Sequence, residues 1–419
     1  MAKRIFLKGG LLIDGNGGEV LEDAGVLIDG EKIAAVGPVD EIPVPESAEV
    51  VDLDGKVVMP GLIDAHVHLV GLKDLNLMLA AFEPTEVQMG RALKDLPKLI
   101  DAGVTAVRDV GSSIALHIRN LIHDGVYEGP RIKTSYKILG QTGGHGDIHM
   151  LPPEFNTNRT CDGVDDCRKA AREQFRAGAD FIKICSSGGV LSEKDDPRSP
   201  QLTVEEIAAI VYEAKAVGSY VASHAQSTQG IINALKAGVK TIEHGILIDE
   251  EGIELMLQNE AYLVPTLAIV KRIVDEGAQH GVPEFGLKKA KTYYDLHIQN
   301  MKKAYAAGVK IAAGTDFAGC DPVDHGGNAL ELELLVKDVG LTPMEAIVSG
   351  TKISAEAIGM GEETGTIEKG KLADLIVVDG NPAEDIAVLL DTTNIKQVYV
   401  GGKRYKNSLT AKKKEVELV

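Results

Sequence analysis

Residues 61–70 read GLIDAHVHLV, an apolar run that closes on two histidines separated by one residue. Side chains on a strand alternate between its two sides, so as a strand the run aims His66 and His68 the same way. It is the first of eight similar runs in the middle of the chain: Gly61–His68, Gly103–Asp109, Arg131–Ile138, Ala179–Cys185, Ser219–Ala225, Lys240–His244, Ala261–Thr266 and Lys310–Asp316. Between them lie stretches with apolar residues at helical spacing and a closing glycine, such as TVEEIAAIVYEAKAVG (203–218) and TQGIINALKAG (228–238). Eight strand–helix units predict an α/β fold, a (β/α)8 TIM barrel. No short solenoid period competes with that reading.

Outward from the barrel the texture changes. RIFLKGGLLIDGNGG and AGVLIDGEKIAAVG near the start, and GTIEKGKLADLIVVDGNP and IKQVYVGGKRY near the end, alternate apolar and polar residues between glycine-marked turns. These are short antiparallel strands by pattern. One small β-sandwich domain formed from both chain ends, with the barrel inserted between, accounts for them. The expected division is 1–58 and 361–408 for that domain, 59–360 for the barrel, and a frayed tail over 409–419, where AKKKEVELV has no core pattern.

A length of 419 residues suits a barrel with a small appended domain, and 44% hydrophobic with 25% charged residues is a soluble globular profile. The net charge of −18 argues against a nucleic-acid or anionic-membrane partner, because nothing offsets repulsion from phosphate. Four cysteines, Cys161, Cys167, Cys185 and Cys320, are too few for a disulfide framework. Cys161 and Cys167 could bridge locally, but reduced thiols are expected. MAKRIFLKGG lacks a signal-peptide core and no apolar run is long enough to span a bilayer, so the expectation is a cytoplasmic protein.

In a TIM barrel the functional residues lie at the C-terminal ends of the strands. There the chain places His66 and His68, then His224 in SYVASHAQS, His244 in VKTIEHG and Asp316 in VKIAAGTDFAG. Each alone reads as a capping or core residue. Four histidines and a carboxylate at the strand ends of one barrel read as a metal site. Lys183, in AGADFIKICSSGG, belongs to a strand buried on both faces, where a lysine is costly unless its charge is paired or removed. An ion pair would serve; so would reaction with carbon dioxide, giving a carbamate whose two oxygens bridge two cations. His117, His123, His280 and His297 fall in helical patterns and are expected at the surface.

The order HxH, strand-four Lys, strand-five His, strand-six His and strand-eight Asp resembles the binuclear branch of the amidohydrolase superfamily over nearly the whole chain. TGGHGD (142–147), ASHAQ (222–226), EHG (243–245), GTD (314–316) and HGGNALELELL (325–335) resemble its imidazolonepropionase-related dipeptidases, which include prolidase-like enzymes and enzymes removing C-terminal Arg or Lys. The resemblance implies His66, His68 and Asp316 on one metal and His224 and His244 on the other, with carboxylated Lys183 and a hydroxide bridging. The two divalent metals would be zinc.

Such a pair lowers the pKa of the bridging water and polarises a scissile carbonyl, while Asp316 relays the proton to the departing amine. His145, in LGQTGGHGD, is the candidate oxyanion donor; His149 and His325 are weaker candidates near the mouth. Arg198, Tyr136 and Tyr293 are available to hold a substrate carboxylate. Where proline-preferring relatives carry a tyrosine, AQSTQG follows His224 instead. The expected substrate is a small dipeptide or N-acyl amino acid, and the expected assembly a homo-oligomer. A cyclic-amide or deaminating ring hydrolase, and a non-catalytic scaffold barrel, are the alternatives.

Overall fold

The computed structural model describes residues 4–76, 80–147, 152 and 156–409. His149 and most of the terminal tail lie outside the described residues. Five strands come first: β1 (Arg4–Leu12), β2 (Leu21–Asp29), β3 (Lys32–Pro38), β4 (Glu49–Asp52) and β5 (Val57–Pro60). The barrel strands follow as β6 (Leu62–Val67), β7 (Val104–Asp109), β8 (Arg131–Thr134), β9 (Leu139–Gly140), β10 (Arg159–Thr160), β11 (Ile182–Cys185), β12 (Val221–Ala225), β13 (Thr241–His244), β14 (Tyr262–Val264) and β15 (Lys310–Ile311). The last three are β16 (Leu375–Val378), β17 (Ile395–Val400) and β18 (Lys403–Asn407).

All eight expected barrel strands are present, and their ladders are parallel. The third is split. Arg131–Ile138 breaks at Tyr136, whose φ is +63°, so that β8 pairs with β7 while β9 pairs with β11. The break hands the sheet from one neighbour to the next. At the other seam, residues beyond β15 return to β6: Ala65 N donates to Ala313 O (2.9 Å), Asp316 N to His66 O (2.7 Å) and His68 N to Phe317 O (2.8 Å). The ring of strands is thereby closed.

Helices alternate with the strands: α1 (Thr85–Asp101), α2 (Ala115–His123), α3 (Gly163–Ala177), α4 (Val204–Ala216), α5 (Thr228–Lys236), α6 (Glu250–Gln258), α7 (Leu267–Glu276) and α8 (Glu284–Ala306). The sequence signals act where expected. Thr203 and Glu206 form a capping box at the start of α4, and Gly218 and Gly238 take φ of +73° and +89° just past α4 and α5. The main core lies between strands and helices, with Ile182, Ile184, Val221, Ile242 and Leu263 packed on Ile207, Ile210, Ile231 and Leu235.

Strands from both chain ends share one sheet, in the order β18-β17-β16-β5-β1-β2-β3, with β4 beside β1. It is fastened to the barrel by Asp374, which binds Arg131 at 2.8 and 3.1 Å and accepts from Gly401 N at 2.6 Å. The four cysteines are buried free thiols, with Cys161 and Cys167 sulfurs 3.4 Å apart. No helix of the described residues is long and apolar enough to cross a membrane.

Candidate active site

The strand-end residues converge. Asp316 Oδ1 lies 3.3 Å from His66 Nε2 and 3.1 Å from His68 Nε2. His66, His244 and Asp316 each offer a ligand atom within 4.8 Å of the others. The His244 ring is 5.1 Å from that of His66 and 4.6 Å from that of His224. Lys183 is buried on β11, in register with Ala222 two residues before His224. Among the described residues its ammonium has no hydrogen-bond or ion-pair partner, although its charge is felt at His68, His224 and His244.

Three of the four imidazoles are held by one nitrogen, which decides which nitrogen faces the centre. His66 Nδ1 is 2.7 Å from Glu243 Oε2, and His244 Nδ1 is 2.7 Å from Thr266 Oγ1, which leaves Nε2 of both for the centre, that of His66 beside Asp316. His224 is held the opposite way round: Nε2 is 3.1 Å from Gly188 O, leaving Nδ1. His244, Thr266 and Asp316 have φ of +70°, +54° and +61°, conformations that cost energy in non-glycine residues and cluster at functional sites.

Burial, reinforced by the nearness of His145 and His66 respectively, pushes His224 and His244 well below the usual imidazole range and so keeps their lone pairs available. For His244 that lowering outweighs the opposing pull of Asp316. Burial also lowers Lys183. Burial would raise Asp316, but His66 and His68 hold it well below the usual carboxylate range. Neutral imidazoles, a carboxylate and an unpartnered buried amine form a donor set that fits divalent cations.

Several residues that shape the centre were given no role from the sequence. Glu243 is fully buried, accepts from Arg108 Nη2 at 2.7 Å and is hydrogen-bonded to Thr241 as well as His66. Arg108 also donates to Ala65 O (2.6 Å) and Thr241 Oγ1 (3.0 Å). Asp64 ties the first and last strands together, accepting from His66 N, Thr315 N and Oγ1, and Asn328 Nδ2 at 2.6–3.0 Å. A charged residue inside an apolar barrel strand, the signal used for Lys183, also marks Arg108 and Glu243.

His145 reaches the centre, its ring stacked on His224 at 4.1 Å. His325 is buried behind His68, with Nε2 3.4 Å from its carbonyl, rather than open to a substrate. His297 corrects the surface expectation: it is buried on α8 and Nε2 lies 2.9 Å from His244 O, because α8 packs this face against β13. His117 and His123 are exposed and His280 half-buried. Arg198 is exposed and engaged with Asp196 at 2.8 and 3.0 Å. Tyr136 and Tyr293 are half-buried, and neither is brought to the His–Asp cluster by any contact among the described residues.

Known proteins resemble this chain in sequence and fold. Ochratoxinase from Aspergillus niger is 33% identical across 97% of this chain and 87% of its own, and its crystal structure superposes with a TM-score of 0.89. A prolidase complexed with N-methylphosphonate-L-proline is 36% identical over 97% of this chain and all of its own, with a TM-score of 0.89. A Xaa-Pro dipeptidase with methionine in its active site matches with the same identity and coverage at a TM-score of 0.86. The sequence profile of the amidohydrolase family spans residues 57–405, from the strand before the HxH pair to the last strand of the terminal sheet. With the strand-end histidines and aspartate gathered at one mouth, the chain belongs to the amidohydrolase family and is a hydrolase.

Proposed function

We propose that the protein hydrolyses the amide bond of a dipeptide or N-acyl amino acid and releases the C-terminal residue. Two divalent cations, zinc by donor chemistry, would be held by His66, His68, Lys183, His224, His244 and Asp316. The observation that carries this reading is Lys183, a buried lysine without a partner among the described residues, set beside imidazoles kept neutral by burial. Burial favours the neutral amine, which can add carbon dioxide; a bond from Nζ to carbon forms, a proton leaves, and the carbamate gains two oxygen donors. Bound there, the cations would supply an activated water and a Lewis acid for the scissile carbonyl.

Asp316, which lies between His66 and His68, would take the water's proton and pass it to the departing amine. His145 is assigned to the carbonyl oxygen as charge builds on it. The same reading takes the protein as a cytoplasmic homo-oligomer with no nucleic-acid or membrane partner. It divides the chain into 1–58 with 361–408, 59–360, and the tail 409–419. Ile5, Leu7, Val26 and Ile28 share one core with Val58, Leu375, Val377 and Tyr399, which supports a terminal sheet doubled over as a sandwich.

The deciding experiment offers dipeptides and N-acyl amino acids and measures free amine. Turnover of a cyclic imide, lactone or aminated ring with both sets untouched would replace this reading with the ring hydrolase. No turnover together with no bound metal would point to a scaffold.

A further inference from the structure

The segment after β11 carries a cluster centred on a residue that the hydrolysis reading leaves without a role. One face of the His145 ring lies on His224. Gly189 packs tightly against the ring as well, where an added Cβ would come within 2.1 Å of His145 Cε1. The ring edge is fixed too: Nδ1 is 2.7 Å from Ser192 Oγ and 3.4 Å from Asp195 Oδ2. The backbone N of His145 donates to Gln201 Oε1 at 3.0 Å.

All of these holds except the His224 stack trace back to Asp195, whose side chain is largely buried. Its carboxylate accepts from the Ser192 hydroxyl, from Gly189 N at 3.1 Å and from Gln201 Nε2 at 3.4 Å. Lys289 of α8 pins the same segment, donating to the carbonyls of Gly189, Ser192 and Asp195 at 3.1, 2.6 and 2.6 Å. Its ammonium is 3.8 Å from Asp195 Oδ1.

Hydrogen counting puts a hydrogen on Nδ1. The single hydroxyl hydrogen of Ser192 goes to Asp195, so Ser192 Oγ meets His145 as an acceptor, and a carboxylate only accepts. The hydrogen between them therefore belongs to His145 Nδ1. Nε2, which has no hydrogen-bond partner among the described residues, is the nitrogen left for the cleft, where a second ring hydrogen would let it donate to the carbonyl oxygen.

We propose that Asp195 is a positioning residue: through Ser192, Gly189 and Gln201 it fixes the ring plane of His145 and holds the Nδ1 hydrogen, aiming Nε2 at the substrate. This rests on His145 being the group that meets the substrate.

The test uses metal-loaded protein labelled with ¹⁵N-histidine, the His145 signal being assigned by its loss in His145→Asn. Asp195→Asn should shift the His145 Nδ1 signal in the ¹⁵N spectrum, because the Ser192 hydroxyl and the ring lose their shared anchor. It should lower kcat on the best dipeptide or N-acyl amino acid by about 10–100-fold with KM within about threefold. Combined with His145→Asn it should add no further loss, as expected of residues acting as a unit. An unchanged ¹⁵N signature, or kcat losses that multiply in the double variant, overturns the proposal. If the parent enzyme cleaves none of these amides, the functional reading fails instead, and the ¹⁵N comparison alone decides about Asp195. If Asp195→Asn does not fold, Ser192→Ala and Gly189→Ala take its place; a His145 signal unaltered in both overturns the proposal.

Discussion

Thr266 Oγ1 stands 2.7 Å from His244 Nδ1, and Thr266 holds that position in a left-handed conformation with φ of +54°. A β-branched residue there is strained, and it persists only where its surroundings over-determine it. They do so here. Just past Thr266, Leu267 N and Ala268 N donate to the buried Glu331 at 3.1 and 2.7 Å, which fixes the start of α7. Glu331 lies in HGGNALELELL, as does Asn328, the partner of Asp64. That segment thus braces the strand ends that carry His244 and His66.

Thr266→Val keeps the shape and removes the hydroxyl, leaving His244 Nδ1 buried without its partner. Zinc affinity, measured by chelator competition, should fall about 10–100-fold, the range for an outer partner of a metal-binding histidine. Thr266→Ser keeps the oxygen and should stay close to the parent. Equal affinity in the valine variant would show that the hydroxyl does not orient His244.

Lys183→Ala should lower metal content from about two ions per chain towards one and abolish nearly all turnover. A short carboxylic acid in solution should restore part of both, because it resupplies the missing oxygens. Elemental analysis of parent and variant checks the count. Full metal and full activity in the variant would make Lys183 a core residue only.

His145→Asn should leave metal content intact, since none of the contacts to His145 comes from the His66–Asp316 cluster and its link to His224 is ring stacking. Its kcat should fall by about 10²–10³, the range for losing one donor to a developing oxyanion. Loss of metal from this variant would assign His145 to the metal site instead.

Asp95, buried on α1, is raised to about 6 by burial, which outweighs the pull of Lys98 3.2 Å away. The folded chain therefore keeps this proton longer than the unfolded chain. Stability is lost as pH rises from about 4 to about 6, and the loss is complete above that window. Asp95→Asn removes the titration, so its Tm relative to the parent should climb between about pH 4 and 6 and then level off. The full difference is on the order of 3 kcal/mol. A pH-independent difference would place the Asp95 titration outside that window.

The local sequence determined the barrel and the metal-binding candidates because both are written at short range. Apolar runs, closing glycines and the HxH alternation are consequences of strand and helix periods, and the ends of strands are where His66, His68, His224, His244 and Asp316 fall. Lys183 was legible through the cost of burying an amine in an apolar strand.

Only the tertiary structure decided what holds those residues. Glu243 reaches His66 across 177 positions of chain, Asp64 reaches Asn328 across 264, and Asp195 lies 50 positions beyond His145 in a polar segment that reads as a surface loop. His297 sits in a helix whose pattern marks it as exposed, yet the packing of α8 on β13 buries it against His244. Such pairings depend on where closed parallel strands and their loops meet in space, and the hydrogen bond that fixes which imidazole nitrogen faces the centre leaves no periodic trace in the sequence.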